Sequence, residues 1–127
     1  MLCRTGDLYQ HERIEVTKHM IRQMRDRAAD AEANYLVLLL PTKEYVFWPQ
    51  IKRPLDHARL EMLVATEDRL RAELQHFLQA EDIRYVDPSP ALRTSVEQPY
   101  FPNGDGHPNQ RGHEIIAREL LSDFGKR

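Results

Sequence analysis

The sequence predicts an α/β fold with parallel strands, one part of a three-layer α/β/α sandwich, and three observations predict it. Tyr35-Leu36-Val37-Leu38-Leu39-Leu40 is an unbroken apolar run. Alternation would mark a half-exposed strand, whereas a continuous run of this length marks one covered on both faces, as in a parallel sheet. A long helix-periodic segment separates it from a second short run, Ile83-Arg84-Tyr85-Val86. A crossover of that length implies parallel pairing and a right-handed connection. The whole chain then reads α-β-loop-α-β-loop-α, the order of a layered α/β domain.

The first helix is predicted from about His11 to Ala33. Thr17, Met20, Ile21, Met24, Ala28 and Ala31 recur at helical spacing, and Asn34 is placed to close it. Pro41 ends the first strand because proline cannot donate to a ladder. Residues 42–54 read as a loop, aromatic at Tyr45, Phe47 and Trp48 and punctuated by Pro49 and Pro54. A long helix follows from Leu55 or Asp56 to Ala80, with Leu60, Leu63, Val64, Leu70, Leu74, Phe77 and Leu78 as its apolar stripe and Glu67 interrupting it. Asp87-Pro88 stops the second strand. A short helix is expected within 89–96, a polar loop over 97–108, and a final helix from Asn109 that buries Ile115, Ile116, Ala117, Leu120, Leu121 and Phe124.

Composition narrows the function classes. In 127 residues, 41% are apolar and 30% charged, the balance of one ordinary globular domain. Eighteen Lys and Arg mixed with twenty acids, for a net charge of −2, give no basic face for nucleic acid. Cys3, the single cysteine, makes neither an internal disulfide nor a Cys-rich metal site. No run approaches the roughly 18 apolar residues of a membrane span, and the first residues lack the apolar core of a secretory signal. The compartment of a longer parent protein stays open.

The chemistry concentrates in residues 100–117. Asp105 and His107 lie two apart in a loop between strand-like sequence and a helix. Loops beyond the carboxyl ends of strands are where open α/β sheets bind ligands. A carboxylate beside an imidazole fixes its tautomer and stabilises the imidazolium formed on proton capture. Gly104 and Gly106 free the backbone on either side of the acid, Asn109 suits a helix N-cap, and Gly112 permits close approach of the first turn. The plainer reading is an ordinary turn with a solvated histidine. A metal site of Asp105, His107 and His113 fits no familiar zinc spacing, and no cofactor is expected. Tyr45 and Trp48 either line an acyl or sugar pocket or anchor their loop on the core. Lys43 either stabilises an anion or is solvated.

Asp105-Gly106-His107-Pro108-Asn109, followed by Gly112-His113 and Ile116-Ala117, resembles the last block of the SGNH/GDSL hydrolase superfamily of lipases, esterases, carbohydrate acetylesterases and O-acetyltransferases. The resemblance implies that Asp105 and His107 are the Asp and His of a Ser–His–Asp triad. The single residue between them is similar to the alginate O-acetyltransferase-like subgroup, whose strand-plus-loop Leu38 to Pro49 also resembles. It covers the chain from about Asn34 onward and implies a flavodoxin-like sandwich acting on an ester, such as an acylated carbohydrate, without a cofactor.

The departures define the expectation. The family's Gly-Asp-Ser nucleophile block and its oxyanion-hole Gly and Asn are missing. Gly6-Asp7-Leu8 has no hydroxyl, and Ser89, Ser95 and Ser122 lack a strand–turn–helix setting. The chain is therefore expected to be one incomplete domain, the C-terminal portion of a hydrolase or O-acyltransferase, inactive alone. Two strands, one apolar on both faces, are too few for a stable sheet, so self-association through an open sheet edge is also expected. The alternative is a non-catalytic carbohydrate- or protein-binding module of the same fold.

Overall fold

A computed structural model describes residues 3–50 and 57–125. The elements run α1 (Cys3–Asp30), β1 (Val37–Leu38), α2 (Lys43–Phe47), a 3-10 turn (Trp48–Gln50), α3 (His57–Ala80), β2 (Tyr85–Val86), α4 (Ser89–Arg93) and α5 (Gln110–Phe124). An α3 start at Leu55 or Asp56 lies outside the described residues.

The three-layer flavodoxin-like sandwich is not formed. The molecule is mostly helical, and its sheet is a single pair in which Val37 faces Tyr85 and Leu38 faces Val86, running parallel. The physical reason lies in the short ladder. Asp87-Pro88 ends β2 as soon as it is paired, so the long apolar run at 35–40 has only two residues to pair with. Beyond the pair, Leu39 N–H still donates to Val86 C=O at 2.9 Å, and the rest of the run has no strand assigned. With no strand beyond β1 among the described residues, Leu40 is 57% exposed, although the sequence suggested burial on both faces.

Alternation still sorts the side chains. Val37, Leu39 and Tyr85 pack with Ile21, Phe77, Leu78 and Ile83 against α1 and α3. Leu38 turns the other way, into a cluster of Val46, Leu92, Tyr100, Ile115 and Ile116 built by α2, α4, α5 and the 94–109 segment. Only part of each predicted stripe reaches these clusters. Among the described side chains of α1 the buried ones are Ile14 and Ile21, one heptad apart, while Met20 and Met24 stay outside at 47% exposure. Leu63 on α3, and Ala117, Leu121 and Phe124 on α5, are likewise exposed.

Ion pairs run across the flank of the two long helices. Lys18 reaches Glu73 at 2.7 Å, Arg22 and Arg25 both grip Glu81 at 2.9 Å, and the Arg22 guanidinium lies 4.7 Å from the Phe77 ring centre. Both helices also end alike. Glu32 (φ 54°) and Asp82 (φ 52°) turn left-handed, and the next residues reach back, Ala33 N–H to Ala28 C=O and Ile83 N–H to Leu78 C=O. This paired C-terminal cap satisfies carbonyls that would otherwise be orphaned and aims each chain into its strand. Glu32 and Ala33 thus close α1, rather than Asn34. Among the described residues no helix is long and apolar enough to cross a membrane.

Candidate active site

The loop that carries Asp105 and His107 is fastened at its neck. Tyr100 and Pro108 form an isolated antiparallel bridge, Asn109 N–H donates to Pro99 C=O at 3.0 Å, and Phe101 N–H donates to His107 C=O at 3.4 Å. Tyr100 is fully buried, and its hydroxyl donates to the Pro41 carbonyl just past β1. Burial pushes that phenol up to about 12, so it stays a neutral donor. Asn109 works in both directions. Its side-chain oxygen accepts from Gly112 N–H at 3.0 Å to cap α5, while its amide nitrogen donates to Gln98 C=O and Tyr100 C=O at 2.7 and 3.1 Å. Gly112 is required by space, since a Cβ there would lie 2.1 Å from the Pro99 carbonyl oxygen. Gly104 and Gly106 have no such role. Neither has a positive φ, and a Cβ on either would meet nothing within 4 Å.

Within the loop, Asp105 Oδ1 lies 2.5 Å from His107 Nδ1 and also accepts the His107 backbone N–H at 2.9 Å. Asp105 N–H donates to Asn103 Oδ1 at 3.2 Å. The His107 N–H and then its ring hold the Asp105 carboxyl below the usual carboxylate range, with Lys43 adding a smaller pull. Once Nδ1–H is donated to the carboxylate, Nε2 is the basic ring atom. The side chains are 85% exposed at His107 and 42% at Asp105, so the pair stands open to solvent. An open cleft of about 740 Å³, lined by Glu97, Gln98, Phe101, Asn109 and Arg111 among others, borders the same loop.

The other residues singled out by sequence lie elsewhere. Tyr45 is buried, its hydroxyl donates to Asp68 at 2.9 Å, and its ring is flanked by the Arg71 and Arg93 guanidiniums at 5.1 and 4.1 Å. Burial, with Asp68 beside it, raises that phenol. Those contacts occupy the ring and its hydroxyl. Trp48 is half-buried in the 3-10 turn. Ser89 is buried, accepting from Arg71 at 2.7 Å and donating to Asp87. Ser95 donates to Glu97 C=O, and Ser122 is exposed on α5. Among the described residues no serine hydroxyl is bonded to His107. Gly6-Asp7-Leu8 lies inside α1. His113 is exposed on α5, and no group of three or more potential ligands is placed to hold a metal among the described residues.

Sequence reasoning missed Arg71 and the role of Lys43. Arg71, 7% exposed, sits at the carboxyl ends of both strands, donating to Leu39 C=O at 3.0 Å, to Ser89 Oγ and to Asp87. Its signal was present: Glu67 and Arg71, four apart, are opposite charges on the apolar side of α3. Glu67 there takes the Thr42 N–H at 3.0 Å and the Thr42 hydroxyl at 2.5 Å. The Lys43 ammonium donates to the carbonyls of Phe101, Asn103 (2.7 Å) and Asp105 (3.2 Å), a role no local pattern reveals. No family model, curated protein or solved structure matches the chain.

Proposed function

We propose that this chain supplies the acid and imidazole of a Ser–His–Asp acyl-transfer site of SGNH/GDSL type, acting on an ester such as an acylated carbohydrate. The observation that carries the reading is the 2.5 Å contact between Asp105 Oδ1 and His107 Nδ1 in an open loop fixed at its neck. In that role His107 Nε2 takes the proton of a serine hydroxyl and returns it to the leaving group. Asp105 holds the Nδ1–H tautomer and offsets the charge that forms on the ring. The serine comes from sequence outside these residues, because Ser89 is locked between Asp87 and Arg71 and neither Ser95 nor Ser122 is bonded to the imidazole. No metal or cofactor enters such a mechanism.

The test is a chromogenic short-chain ester assay paired with a serine-directed phosphonate. The chain alone is expected to give only weak general-base turnover and no phosphonate adduct. Robust turnover abolished by His107→Ala, or a stable adduct on any of the three serines, overturns the half-site reading. The open cleft beside Phe101 and Arg111 favours a second reading, a non-catalytic carbohydrate-binding module. Affinity for an acylated oligosaccharide that is indifferent to Asp105→Ala selects that reading. The open edge of β1 beside Leu40 supports self-association under the first.

A further inference from the structure

We propose that Lys43 is the positioning residue of the Asp105–His107 pair, an inference that rests on the acid–imidazole reading above. Three carbonyls from alternate loop residues, Phe101, Asn103 and Asp105, converge on its single ammonium. Carbonyl dipoles aimed at one point repel one another unless a cation occupies the focus. An ammonium has three N–H donors and no acceptor, one for each of these oxygens. A guanidinium presents its donors in a planar fork and does not fit a convergent triad.

Lys43 is itself held from below. It is the first residue of α2, and the preceding Thr42 caps Tyr45 N–H while its own N–H and hydroxyl are taken by Glu67 of α3. A continuous chain of bonds therefore runs from α3 through Glu67, Thr42 and Lys43 to the Asp105 carbonyl. Asp105 uses its two ends differently: the backbone oxygen goes to Lys43 and the carboxylate to His107. Fixing the first sets the origin from which the second reaches. No side-chain packing does this instead, because every residue from 101 to 107 is exposed.

The experiment replaces Lys43 and then restores its ammonium. In a Cys3→Ser background, Lys43→Cys removes the cation, and alkylation with bromoethylamine rebuilds a side chain of lysine length and charge. The readouts are the His107 ring tautomer, by long-range proton–nitrogen correlation, and exchange of its backbone N–H, with thermal melting followed in parallel. Lys43→Cys is expected to lose the Nδ1–H tautomer and speed His107 amide exchange about fivefold or more, the worth of one hydrogen bond. Aminoethylation is expected to restore both. An unchanged tautomer and exchange rate in Lys43→Cys overturns the assignment of Lys43 while leaving the pair intact. If the parent protein shows no Nδ1–H that depends on Asp105, tested with Asp105→Asn, the pair falls and takes both proposals with it.

Discussion

The molecule makes the same turn twice, at Asp87-Pro88-Ser89 and at Asp105-Gly106-His107, and uses it oppositely. In each, the aspartate Oδ1 accepts the backbone N–H two residues on at 2.9 Å and also meets that residue's side chain. At Asp87 the surroundings close over the motif: Arg71 bonds Oδ1, Gln75 donates to Oδ2 at 2.8 Å, and Ser89 is buried. At Asp105 the imidazole is left in solvent, and the tie to α2 runs through loop carbonyls bonded to Lys43. A carboxylate bonded two residues ahead is thus a local device that the chain forms readily. What distinguishes the second copy is its exposed imidazole and the Lys43 bonds to its loop carbonyls.

The contrast breaks hardest at Arg71. Arg71→Met strips the cation from Asp87, Ser89 and Leu39 in a buried setting, and the expected loss is about 3 kcal/mol in urea unfolding. A loss under about 1 kcal/mol, no more than an exposed ion pair gives, would show that the strand ends do not depend on the guanidinium. Gly112→Ala comes next. Its methyl must displace Pro99 or α5, at a cost of about 2 kcal/mol, and His107 amide exchange should quicken because the neck of its loop moves. Asp105→Asn is the smallest on stability and sharpens the comparison through pH. The folded carboxyl titrates below its ordinary 3.8, so its contribution is present above that value and fades as pH falls through the folded one. Melting curves of wild type and variant should therefore differ near neutrality and merge in acid. A gap that persists unchanged once pH has fallen through the folded carboxyl's own titration would show that it does not arise from that ionisation.

The helices were legible because helical spacing is a local property. The sheet was less so, because pairing depends on what else is present. The apolar run at 35–40 reads as strand throughout, yet only Val37 and Leu38 find partners. Burial on α1 failed for a related reason: Met20 and Met24 have the right spacing, but α3 covers only the face of Ile14 and Ile21. α2 was hidden inside an apparent loop, although Thr42 followed by Glu44 at the helix start was a usable N-cap signal. The proximity of Asp105 to His107 needed only two-residue spacing. The roles of Arg71 and Lys43 were not legible because their partners lie 16 to 32 and 58 to 62 residues away, and only the Glu67–Arg71 spacing gave a local hint.

The bridge between Tyr100 and Pro108 separates what happens above it from what happens below. Everything the domain needs for cohesion, including the Tyr100 ring, the Asn109 cap and the close approach at Gly112, lies on or beneath that knot. The residues between its two ends are free to be lengthened, shortened or rewritten without unpicking the scaffold. The loop is consequently a fitting clipped onto a mount rather than a feature carved from it.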